Sequence, residues 1–501
     1  MNLWAEIINT ALIGCERKPL ALSMPTDQLG LLLAQLDQND REGTLLGAAA
    51  VFSLYNRAGS LPLKDTQSLP DACESDTAGC CSKRAMIHLA MMLRGEYEIL
   101  LPEWLSALSS AGQRAQAELL PAVLELGRKR EELREAILPV LGARGRWLAA
   151  QNPIWEFALK RFDETLWETG SSKQRRMFLT DLRSRDVDRA RELLSSTWAQ
   201  ESPKDRADFL TVFENGLNLE DQAFLEFALD DRRKEVRRAA AALLARLPES
   251  ALRNRMIDRV RPLLIFKLNR LKRKIIEVIL PEAIDKAMQR DGVEPKPYSQ
   301  GVGERAWWLQ QMLGMISPNV WLQVSGWDLS ELIAVAKRGE WKSLLLDGWS
   351  QAACLCRDIE WADALLAETD KQEQALSLFQ ILPYPRQESF IIELLRNSPS
   401  LSFDKPARGY VVACSRPWSA KLSRALVNSL VYHAATDRFK NGWMWSEFIG
   451  NIGCCLDPAL IPESISRLTE VTKQSAERSG VIEQFLNLIQ FRYEMLKEIN
   501  Q

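Results

Sequence analysis

The chain has 501 residues, 46% hydrophobic and 26% charged, proportions that exclude a disordered or fibrous protein and fit about two to four compact units unless those stack as repeats. Only His88 and His433 are present, so chemistry needing more than one imidazole must bring those two together and a three-histidine metal site cannot be built. With 64 Lys and Arg against 66 Asp and Glu, the net charge of −2 gives the molecule as a whole no pull toward nucleic acid or anionic membrane.

The first residues, MNLWAEIINTALIGCERKPL, carry no basic stretch ahead of a long apolar run. No window in the chain holds about 18 uncharged apolar residues, so a cytoplasmic location is expected. Nine irregularly spaced cysteines fit reduced thiols better than a disulfide framework. Pro62 to Ser82 is expected to be an exposed loop. Cys73, Cys80, Cys81 and His88 follow the spacing C-x6-C-C-x6-H, without the short C-x2-C knuckle of structural zinc sites. The plainer expectation is a pair of loop-end thiols and a histidine on or beside the apolar face of a helix from Lys83 to Leu93. No metal and no cofactor are expected.

From Glu125 to Val140, Leu126, Leu133, Ile137 and Val140 fall on one stripe opposite a charged face, which predicts an amphipathic helix. Arg144 and Arg146 beside Trp147 offer two guanidiniums for an anion, although a tight inter-helix turn anchored by a buried tryptophan is the stronger reading. The segment from Lys173 to Leu179 aligns with that from Lys204 to Leu210 at an offset of 31, with Ser171 and Ser202 just upstream as N-caps. The same offset carries Leu194 onto Leu225. Next, Asp230 or Asp231 caps a helix whose Val236, Ala240, Leu243 and Leu247 face the core, the alanines allowing a neighbouring helix to approach closely. This block resembles the second helix of a HEAT repeat. The resemblance implies that its Asp and Arg side chains pair between successive repeats.

Charge placement is the main functional signal. Arg232 to Lys274 contains 15 basic residues and three acidic ones, Glu235, Glu249 and Asp258, so about +12 is offset by about −14 elsewhere. A helix predicted from Pro262 to Leu280 places Lys267, Arg270 and Lys274 on one face, opposite Leu264, Leu268, Leu271, Ile275 and Val278. Arg255 and Arg259 lie one turn apart. With Arg232, Arg233, Arg237 and Arg238, these are the candidate partner-binding residues. The plainest account of them is a solvated, internally salt-bridged face; as a binding surface they suit an acidic protein or, as the alternative, a phosphate backbone. Nucleic acid ranks lower because Phe266 is the single stacking platform among them.

A Gly- and Pro-rich stretch at 291–303 separates an N-terminal repeat region, 1–290, from a second helical domain, 304–501. The second region holds ten tryptophans, expected mainly to fill helix–helix contacts, although an interface groove could use them. There is no phosphate-binding loop, no H-E-x-x-H, no G-x-S-x-G, and Gly301-Val302-Gly303 stops short of a dinucleotide fingerprint. Asp230 and Asp231 beside Arg232 and Arg233 fit capping and ion pairing better than catalysis.

Beyond single repeats, Asn9–Arg17, Leu101–Leu105, Gly142–Ala149 with Asn152–Trp155, Asp230–Arg233 and Gly303–Leu309 resemble, in order and spacing, an uncharacterised bacterial helical family. Members of that family are typically encoded beside MoxR-type AAA+ ATPases, von Willebrand A-domain proteins and SWIM zinc-finger proteins. The resemblance implies an accessory role and carries no catalytic residues. The expectation is therefore an all-α protein, HEAT-like two-helix repeats forming a superhelix followed by a second helical domain. It would act without enzymatic chemistry as a scaffold or adaptor for a protein partner, such as a MoxR-type ATPase or its von Willebrand A companion, and not at a membrane.

Overall fold

Apolar residues recurring three and four apart make most of the described chain helical, and the fold is all-α. A computed structural model describes residues 3–21, 28–59, 70–159, 164–297, 303–397, 405–414, 417–435, 442–474 and 480–500. The side chains of His433, Trp443 and Trp445 lie outside the described residues. Strands among the described residues form two pairs. β1 (Gly79–Cys80) runs parallel to β2 (Gln113–Arg114), and β3 (Leu264–Leu268) antiparallel to β4 (Lys274–Val278).

The chain divides into two compact units, 1–72 and 73–501. In the first, helices Leu3–Ile13, Gln28–Leu33 and Arg41–Gly59 gather Ile7, Leu29, Leu33 and Ala48, and Trp4 stacks on Phe52 with ring centroids 5.7 Å apart. The second contains two cores, one built mainly from 81–158 and one running from Trp167 to Ile489. Its last helix, Gly480–Ile499, serves both: Ile482, Phe485 and Ile489 enter the long core, while Phe491, Met495 and Ile499 enter the other.

The predicted helix over 125–140 is interrupted. Helix Leu120–Lys129 ends at Arg130, whose backbone is extended (φ −119°, ψ 92°), and short turns and a four-residue helix carry the chain to Val140. Leu133, Ile137 and Val140 are still buried, so the hydrophobic spacing holds while the backbone leaves the helix. The break is fixed by tertiary contacts: Arg130 donates to Glu98 and Glu132, and Arg134 donates to the Gly127 carbonyl while lying 4.8 Å above the Phe157 ring.

Residues at the 31-residue offset occupy matching positions. Ser171 caps helix Ser172–Arg185 and Ser202 caps helix Pro203–Val212, each accepting from the amide three residues on. Phe178 and Leu179, like Phe209 and Leu210, are buried, as are Leu194 and Leu225. Arg175 lies 4.3 Å above Trp167 and donates to Glu201 at 2.9 Å; Arg206 lies 5.5 Å above Trp198 and donates to Asp231 at 2.7 Å. Trp167 and Trp198 are themselves 31 apart. Each unit thus holds a guanidinium between an indole face and a later carboxylate, an arrangement in which cation–π and ionic attraction add at a partly desolvated site.

The described part of the segment expected as a linker, 291–297, packs instead of hanging free. Asp291 and Val293 are buried, and Val293 belongs to the long core, which continues across this segment. Between them Gly292 takes a left-handed backbone (φ +90°), and a Cβ there would stand 2.8 Å from that of Ala241. Only glycine meets both demands without strain. Helix Lys234–Arg246 supplies Ala241 from its small-residue face, and its Val236, Ala240, Leu243 and the following Leu247 are buried as the spacing implied.

Candidate protein-binding surface

The segment 262–280 is not the expected helix, so Lys267, Arg270 and Lys274 do not share a helical face. Leu-Ile-Phe-Lys-Leu and Lys-Ile-Ile-Glu-Val are rich in β-branched and aromatic residues, and they pair Leu264 with Val278 and Phe266 with Ile276 toward the protein. Phe266 meets Trp321 and Trp327 at centroid distances of 6.3 and 5.6 Å. Between the strands, Asn269 nucleates a tight turn. Its carbonyl accepts from Lys272 N at 2.9 Å, its side chain accepts from Leu271 N and Arg273 N, and Lys272 adopts a left-handed backbone (φ 56°). A type I turn followed by one left-handed residue is a common hairpin closure. Pleat alternation replaces the helical stripe, and Leu268 and Leu271, expected to face a core, are 60% and 73% exposed.

Three cations at this tip, Arg270, Lys272 and Arg273, are exposed and form no ion pair among the described residues. The flanking lysines are engaged: Lys267 pairs with Glu277 across the strands, and Lys274 pairs with Glu331 at 2.6 Å and lies 5.3 Å from the Trp327 ring centre. The tip is therefore a basic projection carrying two exposed leucines. Lys272, Arg273 and the exposure of the leucines were missed by helical reasoning. The signal that could have found them is Asn269 flanked by two β-branched runs.

Arg255 and Arg259 do not belong to any free strip. Both close on buried Asp291, Arg255 Nη2 at 2.7 Å and Arg259 Nη1 at 2.6 Å, and Arg255 also reaches Glu226 at 3.1 Å. Burial opposes charge on Arg255, yet hydrogen bonds and attraction from Asp291 and Glu226 outweigh it and raise its pKa. Arg290 completes the cluster through Asp230 at 2.6 Å and Glu226 at 3.2 Å. Arg237 turns inward to the carbonyls of Asp231 and Arg232. Arg232, Arg233 and Arg238 are exposed; Arg233 N donates to Asp231, and Arg238 lines a cleft beside Glu235 and Trp307. The helix starts after Arg233, with Asp231 accepting just before it.

The remaining sequence candidates fall into structural places. His88 is buried in helix Lys83–Leu93 with its ring edge-on to Phe491, and Cys81 is buried, whereas Cys73 and Cys80 line an open cleft. Among the described residues no three His, Cys, Asp or Glu side chains converge as metal ligands. Arg144 and Arg146 line two different clefts and do not form a joint anion site. Asp230 pairs with Arg290 and Asp231 with Arg206. Trp308, Trp321, Trp349, Trp361 and Trp418 are buried in the long core. Burial pushes the Cys354 thiol up to about 11 and, with help from Glu388 and Cys455, Cys414 up to about 12, which disfavours the thiolate of both at neutral pH.

No described helix is long and apolar enough to cross a membrane. No curated protein and no solved structure matches the chain. A family model spans residues 6–499, nearly the whole sequence, and the chain therefore belongs to that family of unknown function, DUF5691.

Proposed function

We propose that the chain is a non-enzymatic scaffold or adaptor that holds an acidic protein partner against the β3–β4 hairpin. The observation that carries this is the tip itself, where Arg270, Lys272 and Arg273 stand exposed, without an ion pair among the described residues, beside exposed Leu268 and Leu271. Exposed leucines set among like charges stabilise nothing in the isolated chain. They are accounted for by a partner that supplies an apolar pocket rimmed by carboxylates, with charge guiding encounter and the leucines slowing release. Two-helix units at a 31-residue offset support the scaffold part of the reading, as HEAT-like repeats stacked into a superhelix toward residue 290. By family resemblance the natural partner is a MoxR-type AAA+ ATPase or a von Willebrand A-domain protein, met in the cytoplasm.

The second reading is nucleic acid, favoured by one feature: a two-stranded basic ribbon is narrow enough to enter a major groove. The test is capture of the purified MoxR-type ATPase and von Willebrand A protein of the same organism, beside a duplex DNA, by the full chain and by R270E/K272E/R273E. Protein capture lost in the triple variant supports the adaptor. DNA capture without protein capture transfers the function to the second reading, and undiminished protein capture removes the tip from it.

A further inference from the structure

Away from the hairpin, helices Tyr384–Asn397 and Ala420–Ala435 flank a cleft of about 530 Å³, within the roughly 300–1,000 Å³ span of small-molecule sites. Lys421, Arg424, Ala425, Asn428, Ser429 and Tyr432 fall at i, i+3, i+4, i+7, i+8 and i+11 and form one stripe of the second helix, facing Ile392, Leu395 and Arg396 of the first. Among the described residues three cations line the cleft and no acidic residue does. Arg396 and Lys421 form no ion pair among the described residues, and Arg424 reaches Glu463 only at 3.9 Å. Ile392, Leu395 and Ala425 make the floor apolar, and Ser429 beside them has a buried hydroxyl with no hydrogen-bond partner among the described residues.

We propose that this cleft binds a small organic anion, its carboxylate or phosphate head held by Arg396, Lys421 and Arg424 and its apolar body laid over Ile392 and Leu395. Like charges gathered on one concave surface repel one another, and an anion relieves that repulsion while bridging the two helices. An apolar floor beneath the cations selects against fully hydrated ions such as inorganic phosphate. The site rests on different residues from the hairpin and stands or falls independently of it.

The test is calorimetric titration of the full chain with hexyl phosphate, hexanoate, hexanol and inorganic phosphate at physiological ionic strength. Hexyl phosphate or hexanoate should bind, and which of the two binds tighter identifies the head group. Hexanol and phosphate should bind at least about tenfold more weakly, because each lacks one half of the recognition. R396E/R424E should weaken the anion at least about tenfold with the helical fold intact by circular dichroism, since both side chains are exposed. A425W, which fills the floor and keeps the cations, should abolish binding. The proposal is overturned if neither anion binds, if phosphate or hexanol binds as tightly as hexyl phosphate, or if R396E/R424E binds like the unaltered chain.

Discussion

Arg492, on the last helix, grips Glu103, 389 residues earlier, through two parallel hydrogen bonds of 2.6 and 2.7 Å. The same guanidinium donates to the carbonyls of Gly453 and Leu456, so one buried side chain ties three stretches of the 73–501 unit together. Phe491 beside it stacks on Tyr97 at 4.3 Å and meets the edge of His88 at 5.0 Å. The end of the unit is thereby bound to its beginning, which makes its stability depend on contacts of very long sequence separation.

Glu103→Ala leaves the 1% exposed Arg492 without its counter-ion, and a cost of about 3 kcal/mol is expected from the removal of one partner of a buried pair. Chemical denaturation of the 73–501 unit within the full chain measures it. A loss under about 1 kcal/mol would mean that the two carbonyls suffice to hold the guanidinium.

Asp291→Ala should cost a similar amount, about 3 kcal/mol, because Arg255 and Arg259 both close on that one buried carboxylate. Gly292→Ala, which forces a Cβ onto a left-handed backbone against Ala241, should add about 1–3 kcal/mol by itself. A segment behaving as a free linker would tolerate both changes with no shift in melting temperature.

The two guanidinium clamps should respond alike. Arg175→Met and Arg206→Met each remove a cation from an indole face and a carboxylate, and each should destabilise by about 2 kcal/mol. Losses differing by more than about twofold would show that the 31-residue correspondence is one of sequence and not of energetics.

Burial lowers the pKa of His88 below its ordinary 6.5, with Arg84 adding to the shift and Glu494 and Glu498 opposing it. The unfolded chain therefore takes up a proton near pH 6.5 that the folded chain still refuses. Stability falls as the pH drops from that value toward the folded-state pKa, and is unaffected by this group above it. His88→Phe keeps an aromatic edge against Phe491 and should flatten the melting-temperature profile on the acid side. Superimposable slopes for the two proteins would contradict the assignment.

The all-helical class was legible because it rests on local periodicity and on capping: Ser171, Ser202 and the Val236–Leu247 stripe all sit where the spacing put them. The candidate surface was legible only as composition. The basic residues of 232–274 were correctly counted, but a helical stripe and a β-hairpin are both compatible with Leu264, Leu268, Leu271 and Ile275, and the turn chemistry of Asn269 decides between them. Nor could spacing reveal that Arg255 and Arg259 are held by Asp291, because that pairing spans more than thirty residues and depends on how Gly292 packs against helix Lys234–Arg246.

The leucines separate docking from simple charge attraction. Leu268→Ser with Leu271→Ser should leave stability within about 0.5 kcal/mol, as both are exposed at the tip, while speeding dissociation of a protein partner at unchanged association rate. Unaltered dissociation would confine the hairpin's contribution to its cations.

The most direct measurement is the affinity of the full chain for the purified MoxR-type ATPase and von Willebrand A protein, as a function of salt, with and without R270E/K272E/R273E. Docking through the tip gives an affinity that falls as salt rises and is lost on charge reversal, with the fold intact by circular dichroism. Equal affinity for the two forms at every salt concentration would contradict it.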